Sequence, residues 1–293
     1  MATRRKSHHG GAETGRLTVT ARLGARVIDV SIIIVSFNAA PDLERCLATL
    51  HQAPPHADHD IVVVDNASSD GSVAAAQRWP DVKVIASTKN KGFAAAANTG
   101  IRSTSGASVL LLNSDTIVPA GAVDGLLREL RRHPDASVAG PRLVDASGRP
   151  ELSFGRMLTP FNEWRQKRTL RGIERRDPAT LQRVDALTHE EQWPDWVSGA
   201  CLLVWRADAE AVGLLDERFF MYTEDVDFCA ALRARGRRIL FTPAVEVVHL
   251  RGRSVAAAPP ATAEAYQRSH LAFYRKHHPA LAGLLELYKR LRP

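Results

Sequence analysis

The chain has 293 residues and a mass of 32.1 kDa, with 45% hydrophobic residues and a formal net charge of +7. It has room for one large domain or two small ones around an ordinary core, which excludes a largely disordered protein. No apolar run reaches the roughly 18 to 20 residues that cross a bilayer, since even Val30 to Phe37 stops at Asn38. Residues 1–29 carry +4, residues 251–293 carry +6 and the stretch between carries −3. An acidic body with basic ends argues against a nucleic-acid channel, so no nucleic acid is expected as a partner. It suits ends that meet phosphates or anionic lipid head groups.

In chain order, residues 1–28 read as a flexible basic leader. Arg4, Arg5 and Lys6 have no apolar segment behind them, so a cytoplasmic location is expected. The β-branched run Ser31 to Val35 predicts a strand buried on both faces, followed by a helix over Asp42 to Leu50. The unit repeats: strand Ile61 to Val64 with helix Ser72 to Trp79, and strand Val82 to Ala86 with helix Phe93 to Arg102. Strand Val109 to Leu112 precedes helix Gly121 to Arg132 and strand Ala136 to Gly140. Such alternation predicts an α/β fold with a doubly wound, mostly parallel sheet and helices on both faces.

After Pro141 the alternation breaks. Residues 155–194 are polar and basic, and a connection that long is expected to be functional or mobile. Trp196 to Trp205 reads as a strand, Glu224 to Arg235 as a helix, and Ile239 to Thr242 and Val245 to His249 as two strands. Val255 to Ala261 reads as a linker, and a helical extension follows from Thr262. Cys46, Cys201 and Cys229 stand apart in apolar segments and form no CxxC pair, which predicts buried reduced thiols.

Polar residues close each of the first four strands: Ser36 and Asn38, Asp65 and Asp70, Asn90, then Asn113 and Asp115. In a parallel sheet, ligands gather at these ends. Any one of these residues could serve a turn alone, but four in succession would line one crevice. No glycine-rich phosphate loop follows the first strand, so neither a dinucleotide fold nor a P-loop is indicated. Asp115, directly after an apolar strand, is placed to hold a divalent cation against a diphosphate. Glu224, Asp225 and Asp227 open a helix after the aromatic stretch Phe219 to Tyr222. They could cap that helix, or one of them could serve as a general base.

Seven segments carry a resemblance: Ser31 to Asn38, Val62 to Ser72, Asn90 to Asn98, Leu110 to Asp115, Ser198 to Ala200, Glu224 to Asp227 and His249 to Ser254. Over about residues 30–255 the chain resembles the family 2 inverting glycosyltransferases of GT-A fold, most of all a bacterial rhamnosyltransferase-like branch. The resemblance implies a GT-A domain over 29–255, with a nucleotide-sugar half (29–142) and an acceptor and catalytic half (143–255). Residues 256–293 would be a basic amphipathic helical segment. Asp65 would read the base beside Ser36 and Asn38, and Asn90, Asn98 and Asn113 would hold the nucleotide sugar. Asp115 would be the ligand for Mg²⁺ or Mn²⁺ in a degenerate DxD motif whose first acid is Asn113, helped by His249. Arg251, Arg253 and Ser254 would meet phosphate oxygens.

The implied reaction is attack by an acceptor hydroxyl on a sugar of a nucleoside diphosphate (dTDP or UDP, rhamnose being the expected sugar), with inversion and no covalent intermediate. Asp225 is assigned as the base, with Ser198, Gly199, Glu224 and Asp227 on the acceptor side. The acceptor would be a glycan or a polyprenyl-diphosphate-linked sugar of the cell envelope. A catalytically silent nucleotide-sugar-binding protein and a sugar nucleotidyltransferase are the rival readings, the latter lacking its basic phosphate loop. The segment from Tyr266 to Arg292 mixes aromatics with basic residues, which predicts peripheral attachment to an anionic membrane surface or, as alternatives, packing on the sheet or a homodimer contact.

Overall fold

The computed structural model describes residues 28–250 and 259–291. Nearly all of the expected leader, most of the expected linker, and Arg251, Arg253 and Ser254 lie outside them. The first half alternates as its sequence suggests: β1 (Val30–Ser36), α1 (Ala40–Gln52), β2 (His59–Asp65), α2 (Ser72–Gln77), β3 (Val82–Ala86), α3 (Phe93–Arg102) and β4 (Ser108–Asn113). After β4 come the short β5 (Thr116–Ile117), α4 (Ala122–Arg132) and β6 (Ala136–Val144). The second half holds β7 (Phe154–Gly155), α5 (Pro160–Glu174), α6 (Pro178–Thr188), β8 (Trp196–Val197), β9 (Cys201–Trp205), α7 (Arg206–Ala211), α8 (Glu224–Ala234) and β10 (Arg238–His249). Two further helices follow, α9 (Pro259–His277) and α10 (Pro279–Leu291).

Eight strands form one sheet in the order β3-β2-β1-β4-β9-β6-β10-β5. The sheet is mostly parallel: β3, β2, β1 and β4 run together and β6 runs with β10, while β9 is antiparallel to β4 and β6, and β5 to β10. The β-branched strands are buried on both faces. Ile32 and Ile34 of β1 join a core with Leu43, Leu47, Leu126 and Leu130. Ile33 points the other way, into a core with Ala97, Phe219, Phe228 and Phe273. Each such side chain contributes about 1.5 to 3 kcal/mol of burial. Cys46, Cys201 and Cys229 are free and buried.

The second half departs from expectation in several places. Residues 155–194 are not a bare connection but hold α5 and α6, started by Thr159, whose hydroxyl accepts from the Asn162 amide, and by Asp177, which accepts from Thr180, each before a proline. The strand expected over Trp196 to Trp205 is broken at Ser198 to Ala200 into β8, which pairs with β7, and β9. The two strands expected near 240 are one, β10, with a register shift between Thr242 and Glu246 around Pro243. Residues 259–261 of the expected linker already belong to α9. That helix is part of the domain, because Phe273 and Tyr274 are buried in the core.

Candidate active site

A cleft of about 810 Å³ opens at the carboxyl ends of the parallel strands, with Phe37, Asn66, Asn90, Asn113, Asp115 and His249 on one side and Ser198, Gly199 and Phe220 to Asp225 on the other. Its floor is set by register. β1 lies between β2 and β4, so Ser36 pairs with Asp65 and Val35 with Asn113. The helices that follow β1, β2 and β4 pack in the core on one face of the sheet and α3 in the core on the other, and the loops at these strand ends line the crevice.

Three chain segments meet at one wall. The two residues after Asp115 form β5, which pairs with the end of β10 and sets Thr116 opposite His249, and the Leu250 amide donates to the Asp115 carbonyl at 2.9 Å. His249 Nε2 thereby lies 3.3 Å from Asp115 Oδ1. The turn at 145–148 returns the chain so that the Glu151 amide donates to the Leu143 carbonyl at 2.8 Å, beside β10. Glu151 Oε2 is then 3.2 Å from His249 Nδ1. Burial opposes charge on this imidazole, but the hydrogen bonds to Asp115 and Glu151 prevail and raise its pKa from 6.5 to about 9. Asn113, in place of a first acid, points Nδ2 toward His249 at 3.5 Å.

The facing wall is the start of α8. Tyr222 and Thr223 both hold left-handed backbone, at φ 69° and 64°, a strained pair of a kind that concentrates at functional sites. The chain is pinned just before them: the Phe93 amide donates to the Phe220 carbonyl at 2.7 Å, and a Cβ on Gly92 (φ +88°) would fall 2.2 Å from that oxygen. Asp225 accepts from the Gly199 amide at 2.9 Å and from the Val226 amide at 2.8 Å. A Cβ on Gly199 would sit 3.4 Å from that of Asp225. Glu224 is buried, and its Oε2 has no hydrogen-bond partner among the described residues. Burial, then the Asp225 charge, pushes the Glu224 carboxyl well above the ordinary range. Burial also raises Asp225, against the pull of its backbone amides.

Other anticipated residues lie elsewhere. Ser36 and Asp65 are buried beneath the cleft rather than lining it, and Ser36 Oγ and Asp65 Oδ1 have no hydrogen-bond partner among the described residues. Asn38, in left-handed backbone at φ 49°, ties two loops by accepting from the Ser69 amide at 2.8 Å. Asn98 is not in the cleft: its side chain donates to the Leu215 carbonyl and Glu217 and accepts from the Leu215 amide, stapling α3 to the segment before α8. Asp227 also faces away, buried and bonded to Lys276 Nζ at 2.8 Å and His277 Nε2 at 2.6 Å from α9. The α9 helix steadies the cleft further, since Ser269 donates to the Met221 carbonyl and Tyr266 packs edge-on to Tyr222.

Sequence reasoning missed Phe37, Asn66 and Glu151. Phe37 is 44% exposed at the lip, and Asn66 donates to the Asn90 side chain and the Gly92 carbonyl. Both sit beside residues already singled out at strand ends, so strand-end position was a usable signal. Nothing local marks Glu151. A different metal-capable group, Glu129, His133 and Glu191, lies where α4 ends, toward the amino ends of the strands and away from the cleft.

Residues 31–183 match the sequence profile of glycosyl transferase family 2. The chain belongs to that family and is a glycosyltransferase. It is 31% identical over 273 residues to the N-acetylglucosaminyl-diphospho-decaprenol L-rhamnosyltransferase of Mycobacterium tuberculosis, with 84% of each chain covered. It is 27% identical over 228 residues to the low-salt glycan biosynthesis hexosyltransferase Agl10 of Haloferax volcanii, covering 75% of this chain and 67% of that one. Among solved structures, a mannosyltransferase from Pyrobaculum calidifontis in complex with GDP-Man and Mn²⁺ shares the fold with a TM-score of 0.58 and 22% identity, over 89% of this chain and 69% of that one. The fold is thus the GT-A type.

Proposed function

We propose that the protein is an inverting, metal-dependent transferase that moves rhamnose from dTDP-rhamnose to a hydroxyl of a polyprenyl-diphosphate-linked glycan in cell-envelope polysaccharide synthesis. The observation that carries this reading is a single cleft with Asp115 and His249 on one wall and Asp225 on the other. The choice of sugar and acceptor leans on the name of the mycobacterial relative.

Asp115 and His249 suit a divalent cation. With Nδ1–H turned to Glu151, the Nε2 lone pair converges with a carboxylate oxygen. Without an ion the imidazole keeps a proton between two carboxylates, so loading the site is coupled to losing that proton. Mg²⁺ or Mn²⁺ held there would supply positive charge to the departing diphosphate. Asp65, buried beneath the cleft with an Oδ1 that has no hydrogen-bond partner among the described residues, is assigned the reading of the base, and Phe37 at the lip offers the base a stacking face.

Asp225 takes the proton of the acceptor hydroxyl. Its two backbone N–H bonds occupy one lone pair on each oxygen and leave one on each free to accept. Its raised pKa makes it a stronger base than an ordinary aspartate. Glu224, driven toward its neutral form, spares the pair a second buried negative charge. A single base on the acceptor side, with no second nucleophile, corresponds to one in-line displacement and inversion.

The test is a screen of nucleotide sugars for nucleoside diphosphate release, with and without a polyprenyl-diphosphate acceptor, in Mg²⁺, Mn²⁺ or EDTA. Acceptor-dependent release from dTDP-rhamnose, abolished by EDTA, with an inverted product by NMR, is the expected result. Full turnover in EDTA, or a product of retained configuration, overturns the mechanism. Preference for another donor overturns only the sugar.

A further inference from the structure

The hairpin of α5 and α6 carries a surface that the cleft does not use. Phe161 and Trp164 are 63% and 57% exposed, with their rings stacked 6.2 Å apart. Steps of three and four residues carry the same side of α5 from Trp164 through Arg168 and Arg171 to Arg175. Arg165 lies over the Phe161 ring and Arg168 over the Trp164 ring, each at 5.9 Å, so aromatics and cations form one composite patch. A groove of about 830 Å³ continues from it, lined by Lys167, Arg168, Arg171, Arg175 and Arg183 among others.

Little of this charge is met internally: Lys167 pairs with Glu163, and Arg183 lies near Asp177 in the same groove. Among the described residues, none of the hairpin's six arginines forms an ion pair with an acid. Its own acids are largely engaged: Glu163 is buried against His270 and Tyr274 with Lys167 beside it, Asp177 caps α6, and Asp185 holds Arg142. Elsewhere Arg131, Arg206, Arg237 and Arg238 each face a carboxylate. Crowded guanidinium groups repel one another until an external anion joins them, and phosphate suits their fork of donors.

We propose that the α5–α6 hairpin docks the protein on an anionic lipid bilayer, with Phe161 and Trp164 entering the interface and the arginines meeting head-group phosphates. Exposed aromatics ringed by basic residues distinguish such a surface from a pocket for a free anion, which would have no use for them. The basic C-terminal helices are less suited, since Phe273 and Tyr274 of α9 are buried in the core. The hairpin is also held firmly to the acceptor wall. Glu163 of α5 bonds to α9, which in turn holds Met221 and Tyr222. Docking itself does not depend on the acceptor reading.

The experiment is sedimentation of the full chain with phosphatidylglycerol/phosphatidylcholine vesicles and with pure phosphatidylcholine vesicles, both free of polyprenyl lipid, at low and high salt. The parent is expected to pellet with the anionic vesicles at low salt and to remain in solution with the neutral ones. Arg168→Glu, Arg171→Glu and Arg175→Glu together should lower partitioning by at least about 100-fold, since each basic residue near such a surface contributes several-fold. Phe161→Ser with Trp164→Ser should weaken binding independently, and it decides alone if the charge variant misfolds by circular dichroism. A parent that stays in the supernatant overturns the proposal, as do variants that pellet like the parent. Displacement by inorganic pyrophosphate at constant ionic strength overturns it in favour of a discrete phosphate pocket.

Discussion

The two walls of the cleft treat charge in opposite ways. At the ends of β4 and β10, Asp115 and Glu151 flank His249 and raise it to about 9 although burial opposes its charge. At the start of α8, Glu224 and Asp225 are raised by burial, with no cation against them among the described residues, and Glu224 further by the Asp225 charge. One wall is a charge-paired cluster assembled by β5–β10 pairing, and the other is a pair of acids held on a strained helix start. Environment rather than residue type thus sets the chemistry, as wherever one site needs both an anchored charge and a proton acceptor.

The sharpest way to break this comparison is Asp225→Asn. Under the proposed role, transfer should fall by about 10²- to 10⁴-fold while donor affinity stays within a few-fold of the parent. The raised carboxyl gives the sign of the pH profile: the base form grows as pH rises, so the acid limb of kcat should lie above the ordinary aspartate range and vanish in the variant. Near-parental turnover would remove Asp225 from the mechanism.

The opposite wall should respond through the donor. Asp115→Ala is expected to weaken donor binding in Mg²⁺ or Mn²⁺, with EDTA reproducing the loss in the parent, and His249→Ala should act more mildly in the same direction. Glu151→Gln leaves both proposed ligands in place but loosens the imidazole, a change that typically costs about 10- to 100-fold in metal affinity. Titration calorimetry with metal alone separates these cases. Equal metal affinity in parent and Glu151→Gln would detach Glu151 from the site.

Glu163, beneath the hairpin, tests the scaffold behind the start of α8. Burial alone would raise it, but hydrogen bonds from His270 and Tyr274 lower it from 4.5 to about 2. A depressed carboxylate contributes stability that is present above pH 4.5 and lost as pH falls toward 2, here on the order of 3 kcal/mol. Glu163→Gln should flatten that acid limb in equilibrium unfolding; an unchanged limb would place the stabilisation elsewhere. The smallest effect is expected for Asn98→Ala, which should cost about 1 to 3 kcal/mol of stability by unpairing the Leu215 backbone. Its donor KM should stay at the parental value, and a raised KM at unchanged melting temperature would return Asn98 to the nucleotide site.

The first half of the chain was legible because its signals are short-range. A β-branched run such as Ile32 to Ile34 reports burial on both faces, and the polar residues that end β1, β2 and β4 report one edge of the sheet. The hairpin was less legible. Neither α5 nor α6 has a continuous apolar stripe, although Thr159-Pro160 and Asp177-Pro178 were helix-start signals in plain view.

By itself, the sequence determined the element types from β1 to β4, the mostly parallel sheet and the family resemblance, because propensity, periodicity and motif order act over a few residues. Only the tertiary structure decided which of the polar candidates share a cleft. Asn90 lines it while Asn98, eight residues on, is drawn to Leu215. Asp225 faces it while Asp227 is captured by Lys276 and His277. His249 reaches Asp115, and Glu151 reaches His249, only through the pairing of β10 with β5 and the turn after β6. Those placements depend on contacts between residues about 50 to 130 positions apart, and a local pattern has no means of encoding which distant partner will claim a side chain.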